Sequence, residues 1–288
     1  MTGGWDAEMT TDTFPALAVS SWSVHHALGI MYPDSPERAF DGRVEEAFGP
    51  AKLDILDLPG KIKAMGINRL ELCHFHLAGR DPAYLREVRS VLHDADVILQ
   101  TLLIDDGDIT SVAHGERDMG WISKWIAAAA ELGAEKARVI GGKGKPSPDI
   151  LDRAAQALMN LGQRGQKTGV RIITENWFDT LSTSAHVEHV LRPLKGQVGF
   201  LADTGNWSGD NKFSEIANIF RFAENCHAKA SFDAADHMDE DDFAQCLGAA
   251  AMAGYSGPYT LIYEGPGDEW LGLAREAAFI RQYFSKVH

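Results

Sequence analysis

Short apolar segments alternate with longer amphipathic ones along almost the whole chain. Each apolar segment has the length of a buried strand, whereas the amphipathic ones repeat their apolar residues at the three- and four-residue spacing of a helix. The clearest helical pattern covers 117–132, where Trp121, Trp125 and Leu132 share one face. Gly133 follows it and suits a left-handed helix end. This alternation predicts parallel strands that are connected by helices.

Eight of the apolar segments are assigned as strands. They are residues 17–22, 69–73, 97–103, 137–140, 170–175, 198–202, 226–230 and 259–264. Eight strand–helix units in 288 residues match a (β/α)8 TIM barrel, whereas a doubly wound sheet seldom carries eight units at so even a spacing. We therefore predict the α/β class and a single (β/α)8 TIM-barrel domain over 14–288, with 1–13 as a flexible N-terminus.

Two segments interrupt the alternation. Residues 23–53 separate the first strand from its helix, and a loop of that length is usually functional or disordered. The sequence does not decide whether this loop covers the barrel mouth or meets a neighbouring subunit. A glycine-rich run at 141–146 carries Lys143 and Lys145, which suggests a phosphate or carboxylate site. Because the run lacks the pattern of a phosphate-binding loop, a flexible loop is the stronger interpretation.

The formal net charge of −14 limits the classes of partner. A field of that sign repels nucleic-acid phosphates and anionic membranes, and no apolar run approaches the ~20 residues that span a bilayer. The three cysteines are far apart, so they predict neither a thiolate zinc site nor a disulfide framework. We expect a cytoplasmic protein without nucleic-acid or membrane partners.

Four successive predicted strands, the fifth to the eighth, each end in or near a metal-capable side chain. These residues are Glu175, Asp203, His227 and Glu264. Active sites of such barrels lie at the carboxyl ends of the strands. The set is mostly hard oxygen with one imidazole, which favours Mn²⁺, with Mg²⁺, Co²⁺ or Zn²⁺ also compatible. Each residue alone is more often a helix cap or an ion-pair residue, but the recurrence in four units favours a shared metal site.

At these residues the chain resembles the xylose isomerase-like TIM-barrel superfamily, which contains sugar epimerases, isomerases, inosose dehydratases and endonuclease IV. The resemblance runs from the first strand to the eighth. It is most specific in the segments Glu175-Asn-Trp, Asp203-Thr-Gly-Asn, His227-Ala-Lys and Tyr263-Glu264. It implies that Glu175, Asp203, His227 and Glu264 are metal ligands and that the two glutamates also act as a catalytic acid/base pair. Dimers and tetramers are common in similar barrels, so a homo-oligomer is compatible with the resemblance, but the sequence leaves the oligomeric state open.

The implied chemistry starts with removal of a proton from carbon beside a carbonyl. A divalent cation stabilises the resulting enediolate as a Lewis acid, while one carboxylate takes the proton and a second returns one. The leading hypothesis is therefore a metal-dependent isomerase or epimerase of a ketose, keto-sugar or polyol. A lyase on the same scaffold, similar to an inosose dehydratase or a keto-glycoside-cleaving enzyme, is the alternative, because the first step is the same.

Two further classes are disfavoured. Many superfamily members carry Asp-x-x-His on the sixth strand, but here the fourth position is Asn206. An endonuclease-like site needs several additional histidines, and the acidic net charge opposes binding of nucleic acid. A non-catalytic binding barrel has no physical need for four intact metal-capable side chains.

Several polar and aromatic residues near the same strand ends are candidates for substrate binding. The aromatic pair would stack on a sugar ring or pack in the core, and the two histidines lie at a spacing of two, hence on one face if the strand continues. The candidates are His74, His76, Trp177, Asn206, Trp207 and Lys229.

Overall fold

The computed structural model describes residues 14–38 and 40–286. Eight parallel strands form a closed barrel in chain order, and the first strand pairs with the eighth. This confirms the predicted (β/α)8 TIM barrel. Residues 1–13, the predicted flexible N-terminus, lie outside the described residues.

The strands are short, and their side chains are largely buried. They are Leu17–Ser20 (β1), Arg69–Cys73 (β2), Ile98–Ile104 (β3), Lys136–Val139 (β4), Arg171–Glu175 (β5), Gly199–Asp203 (β6), Ala223–Ala228 (β7) and Tyr259–Leu261 (β8). In parallel pairing all of them end at the same rim of the barrel, so the residues that follow the strands converge there.

Helices surround the barrel. They are His25–Leu28 (α1), Leu58–Ala64 (α2), Pro82–Asp94 (α3), Gly115–Leu132 (α4), Pro148–Thr168 (α5), Ser184–Leu191 (α6), Lys212–Ile219 (α7), Glu240–Met252 (α8) and Glu269–Ser285 (α9). The α5 helix starts where the Ser147 hydroxyl accepts a hydrogen bond from the Ile150 amide, and α4 ends at Gly133, whose φ of 75° favours glycine. None of the described helices is both long and apolar enough to cross a membrane.

The first and eighth strands end earlier than the apolar pattern predicted. A 3-10 turn begins at Ser21 because the Ser20 side chain accepts from the Trp22 amide. Ser23 then occupies the place of a strand partner, since its hydroxyl donates to the Leu261 carbonyl at 2.9 Å and accepts from the Tyr263 amide at 3.1 Å. Glu264 therefore lies in a loop three residues beyond β8.

The seventh strand starts three residues earlier than predicted. Its first residues include Glu224 and Asn225, which interrupt the apolar pattern. Glu224 is accommodated because it accepts from the Arg171 Nε at 3.1 Å. The apolar pattern missed this start because Glu224 and Asn225 are polar.

The long segment after β1 is tied to the outer helices. The Asp34 carboxylate accepts from the indole N–H groups of Trp121 at 2.9 Å and Trp125 at 3.0 Å, and it pairs with Arg80. Two indole donors and one guanidinium satisfy a buried carboxylate, as burial requires. The segment is therefore anchored to α4.

Candidate active site

A cavity of about 340 Å³ lies at the carboxyl ends of the barrel strands. Its described lining combines carboxylates, two cations, one histidine and three aromatic rings. The charged and histidine lining residues are Asp105, Glu175, Asp203, Glu264, Arg138, Lys229 and His227, and the aromatic ones are Trp22, Phe75 and Trp177. All four predicted metal-capable residues thus reach one cavity.

Three of the four form a compact group. The ligand-capable atoms of Glu175, Asp203 and His227 all lie within 4.8 Å of one another. The Nδ1 atom of His227 is 3.5 Å from Oε1 of Glu175 and 3.4 Å from Oδ2 of Asp203. Two carboxylates and one imidazole on neighbouring strands could hold a divalent cation.

The orientation of His227 is set by a carboxylate inside the barrel. The Nε2 atom of the ring lies 2.7 Å from Oε2 of Glu71, which is fully buried on β2. The other oxygen of Glu71 accepts from Gln100 and Thr101 at 2.9 Å each and from Asn225 at 3.0 Å. With Nε2–H donating to Glu71, the Nδ1 atom of His227 is directed at the two carboxylates, and after loss of its proton it would offer its lone pair to a cation, as in histidine ligands that donate to a carboxylate.

The electrostatics of this pair are strongly coupled. Burial alone would raise the pKa of Glu71, but the His227 ring and the hydrogen bonds from Gln100 and Thr101 lower that pKa to about 2. Burial disfavours a charge on His227, yet Glu71 and Glu175 raise its pKa well above the ordinary value. In the absence of a cation, the proton on His227 offsets the surrounding negative charge.

Asp203 is held by its neighbours on both sides. Its Oδ1 accepts from the amides of Gly205 at 2.7 Å and Asn206 at 2.8 Å. Its backbone exchanges two hydrogen bonds with the Asn176 side chain, of 2.8 and 2.9 Å. The Oδ2 atom is left to face His227. This turn explains why Asp203 is followed by glycine and asparagine.

Glu175 is positioned by Asn206 and Arg138. The side-chain amide of Asn206 donates to Oε1 of Glu175 at 2.9 Å, and the Nε atom of Arg138 lies 3.1 Å from Oε2. Arg138, on β4, also pairs with Asp105. Burial alone would lower the pKa of Arg138, but the charges of Asp105 and Glu175 outweigh that effect and raise it. Asn206 thus contacts a predicted ligand as well as lining the cavity.

Glu264 is set apart from the other three predicted ligands. Its Oε1 accepts from the Trp22 indole at 2.7 Å, and its Oε2 lies 2.5 Å from the Lys229 Nζ. Its side chain is 38% exposed, compared with 4% for Asp203. The described metal-capable group does not include it, so its role as a ligand stays a prediction.

The predicted substrate-binding residues divide into two sets. Trp177, Asn206 and Lys229 line the cavity. The other three lie outside the described lining. The His74 ring accepts from the Asp105 amide at 3.2 Å, the His76 Nδ1 lies 2.9 Å from the Ser21 hydroxyl, and Trp207 donates to the Leu181 carbonyl at 3.2 Å.

The two histidines are separated by a change in local structure. Residues His74–His76 form a 3-10 turn, so the alternation expected for a continuing strand does not apply. His74 packs against Trp121 and Trp125, and burial lowers the pKa of His76 to about 3. Both histidines therefore contact residues near the rim of the cavity and lie outside its described lining.

Three charged residues and one tryptophan of the site, Glu71, Asp105, Arg138 and Trp22, were not singled out as candidates in the sequence. Glu71 and Arg138 are charged residues within apolar strands, and that contrast was the available signal. Asp105 directly follows β3, at the carboxyl end of the strand, where the sequence analysis selected Glu175 and Asp203 in later strands. Trp22 follows β1 and carried no signal of its own.

The glycine-rich run after β4 brings no free lysine to the cavity. The Nζ atom of Lys143 donates to Asp106 at 2.5 Å and lies 5.5 Å from the Phe178 ring centroid, and Lys145 is exposed. Neither lysine is among the described lining residues.

A second metal-capable group is formed by His25, His26 and Glu269. The Glu269 carboxylate accepts from the amides of His26 at 2.7 Å and Ala27 at 2.9 Å. These bonds tie the start of α9 to α1, which accounts for the cluster without a ligand.

The sequence matches the family model for the xylose isomerase-like TIM barrel over residues 59–283. A search of curated protein sequences gave no match.

Solved structures share the fold. A xylose isomerase-like TIM-barrel protein from Mycobacterium smegmatis in complex with magnesium is 17% identical, with a TM-score of 0.66, over 95% of this chain and 97% of that one. The 3-keto-D-glucoside 4-epimerase of E. coli is 16% identical, with a TM-score of 0.63, over 83% and 97%. An L-ribulose 3-epimerase is 16% identical, with a TM-score of 0.68, over 94% and 95%.

At these identities the structural likeness shows the fold alone, whereas the family model matches most of the sequence itself. The chain belongs to the xylose isomerase-like TIM-barrel family.

Proposed function

We propose that the protein is a divalent-metal-dependent isomerase or epimerase of a ketose, keto-sugar or related polyol. The observation that carries this proposal is the convergence of Glu175, Asp203 and His227 at a cavity that also holds Glu264. Epimerases among the structural neighbours support the same reaction class.

The residues present fit a divalent cation. Two carboxylates supply hard oxygen ligands, and the Glu71 carboxylate leaves the Nδ1 atom of His227 directed towards them. Oε2 of Glu175 is buried, and its 3.1 Å ion pair with the Arg138 Nε lacks hydrogen-bond geometry, so this oxygen has no hydrogen-bond partner among the described residues. Mn²⁺, Mg²⁺ or Co²⁺ suits this set better than a thiolate-seeking ion. A bound cation would supply Lewis-acid stabilisation of the developing oxyanion.

The acid/base pair of the proposal is Glu175 and Glu264. Glu175 is fixed by Asn206 and Arg138, whereas Glu264 is reached by Lys229 and by the Trp22 indole. One carboxylate removes a proton from the carbon beside the carbonyl, and the other returns a proton to the same or the adjacent carbon. Lys229 pairs with Glu264 and donates to a substrate oxygen.

The remaining lining residues position the substrate. Trp177 and Trp22 offer flat faces for an apolar sugar face, and Asn206 adds an amide at the edge of the metal-capable group. His74, His76 and Trp207 support this wall from outside the described lining.

The test combines metal content with exchange of carbon-bound hydrogen. Wild type is expected to bind about one divalent ion per chain and to incorporate solvent deuterium into a keto-sugar. His227→Ala should lose the ion, and Glu175→Gln should lose deuterium incorporation while it keeps the wild-type circular dichroism spectrum.

Failure of wild type to retain Mn²⁺, Mg²⁺ or Co²⁺ after incubation would contradict the proposal. A product that has lost water or an aglycone would assign the lyase alternative, whereas a product of equal mass assigns isomerisation or epimerisation.

A further inference from the structure

Glu264 lies in a short loop whose two ends are joined by the tyrosine that precedes it. Tyr263 is 1% exposed, and its hydroxyl accepts a hydrogen bond from the Gly267 amide at 2.9 Å. Residues 264–266 therefore form a loop that closes on the tyrosine side chain. The Tyr263 amide in turn donates to the Ser23 hydroxyl at 3.1 Å. The position of Glu264 at the cavity thus depends on where the Tyr263 hydroxyl is held.

The acceptor for that hydroxyl is Asp236, in the loop between β7 and α8. The Tyr263 hydroxyl donates to Oδ1 of Asp236 at 2.6 Å. Arg275, on α9, donates to the Asp236 backbone carbonyl at 2.5 Å and pairs with Oδ2. One aspartate therefore joins three segments, which are its own loop, the loop that carries Glu264 and the α9 helix.

The backbone of Asp236 has an unfavourable conformation. Its φ of 63° lies in the left-handed region, which a residue other than glycine keeps only when the surrounding structure holds it there. Glycine would adopt the same turn more readily, so the contacts of the carboxylate favour aspartate here. These contacts are close: a Cβ atom at Gly267 would lie 2.2 Å from Oδ2 of Asp236, and one at Gly272 would lie 2.2 Å from the Tyr263 ring.

The same two loops also meet inside the cavity. Lys229 is the first residue after β7, and its Nζ atom lies 2.5 Å from Oε2 of Glu264. Farther along that loop, the Phe232 ring centroid lies 4.8 Å from the Tyr263 ring and 5.3 Å from the Arg275 guanidinium. Contacts on both sides of the loop pair thus fix the relative position of the two loops.

We propose that Asp236 is a positioning residue, which fixes the backbone of the loop that presents Glu264 to the substrate. Asp236 lies outside the described cavity lining, so it acts through the Tyr263 hydroxyl and not on the substrate. The Glu264 side chain stays 38% exposed and can exchange protons, while its backbone is held in one place. This inference rests on the proposed function for the acid/base role of Glu264.

Tyr263→Phe tests the hydroxyl, because it keeps the buried ring. We expect kcat to fall about 10- to 100-fold, as for a displaced catalytic group, while KM and metal content stay within about twofold of wild type. Tyr283→Phe is the matched control and should leave kcat unchanged, because Tyr283 lies in a groove with α7 and α8, outside the cavity lining. Unchanged kcat in Tyr263→Phe would overturn the inference.

Asp236→Gly separates the carboxylate from the shape of the turn. Glycine relieves the left-handed backbone, so a purely structural role of the turn predicts full activity. We expect instead a loss of kcat similar to that of Tyr263→Phe. Neither substitution should add a further loss to Glu264→Gln, because residues that act through one group are not additive. Additive losses would contradict action through Glu264.

Amide hydrogen exchange distinguishes failure of this inference from failure of the proposed function. In Tyr263→Phe the Gly267 amide loses its acceptor, so peptides that cover 264–268 should exchange about 2- to 10-fold faster, whereas Tyr283→Phe should not change them. Unchanged exchange in Tyr263→Phe would overturn the inference whatever the activity. Faster exchange in Tyr263→Phe, together with a wild type that converts no keto-sugar, would contradict the proposed function alone.

Discussion

The two sides of the cavity differ in how they hold their charges. The buried wall consists of Glu175, Asp203 and His227, with Glu71 behind it, and its carboxylates at the cavity are 4% exposed. The open wall consists of Trp22, Lys229 and Glu264, and the Glu264 side chain is 38% exposed. Buried groups with several fixed partners keep one geometry, as metal ligands require, whereas a solvent-accessible ion pair can rearrange and exchange protons.

The largest expected effect separates the two walls by metal content. Asp203→Asn should lose the ion and about a thousandfold or more of the turnover, because a ligand and its charge are removed. Glu264→Gln should keep the ion and lose about 100- to 10,000-fold in kcat, as for loss of an acid/base group. Elemental analysis and deuterium exchange measure both quantities.

Glu131→Gln, at an exposed position on α4, is the control for these variants and should change neither quantity. Loss of the ion in Glu264→Gln would contradict the division into two walls and would make Glu264 a fourth ligand, as the sequence predicted.

A smaller effect is expected behind the buried wall. Glu71→Gln leaves the size of the side chain unchanged but removes the carboxylate that orients His227. Loss of such a partner typically weakens metal binding 10- to 100-fold. Mn²⁺ titration of the two proteins measures this change. Thr101→Val removes one hydrogen bond to Glu71 and should have a lesser effect in the same direction, so equal affinities in all three proteins would contradict the positioning role.

The smallest effect concerns stability beneath the open wall. Glu276 on α9 is fully buried, both of its oxygens lack a hydrogen-bond partner among the described residues, and burial raises its pKa well above 4.5. The folded protein therefore keeps a proton that the unfolded chain loses above about pH 4.5, so stability falls as the pH rises.

Glu276→Gln cannot titrate at this position. Its free energy of unfolding relative to wild type should increase from about pH 5 to about pH 8, by at most about 1.4 kcal/mol per pH unit. Urea unfolding at several pH values measures this difference, with Glu131→Gln as the exposed control. Parallel pH profiles for wild type and Glu276→Gln would show that Glu276 is ionised in the folded state.

The sequence predicted the buried wall better than the open one. Glu175 and Asp203 terminate apolar strands, so the pattern that located the strands also located their ends. Glu264 and Lys229 lie beyond strand ends, where side-chain direction depends on contacts such as the Trp22 indole from a distant segment. Spacing cannot specify such contacts, because they form only once the barrel closes.

Two other residue sets show the limits of periodicity. His74 and His76 were placed on one face on the assumption of an extended chain, but the 3-10 turn there directs them to separate partners. Glu71 is flanked by leucines in a buried strand, and a charge in that setting implies partners within the barrel. These partners are Gln100 on β3 and Asn225 on β7, and no local sequence pattern connects either strand to β2.

The contact of Asp34 with Trp121 and Trp125 has a consequence for the entropy of ligand binding. The segment that carries Trp22 to the cavity is fastened to α4 through this carboxylate, so its ordering is completed when the chain folds. Binding then does not include the entropic cost of ordering that segment, and affinity reflects the contacts at the wall more directly. The same two indoles give the molecule an internal optical reporter, because detachment of the segment would change their environment and their fluorescence.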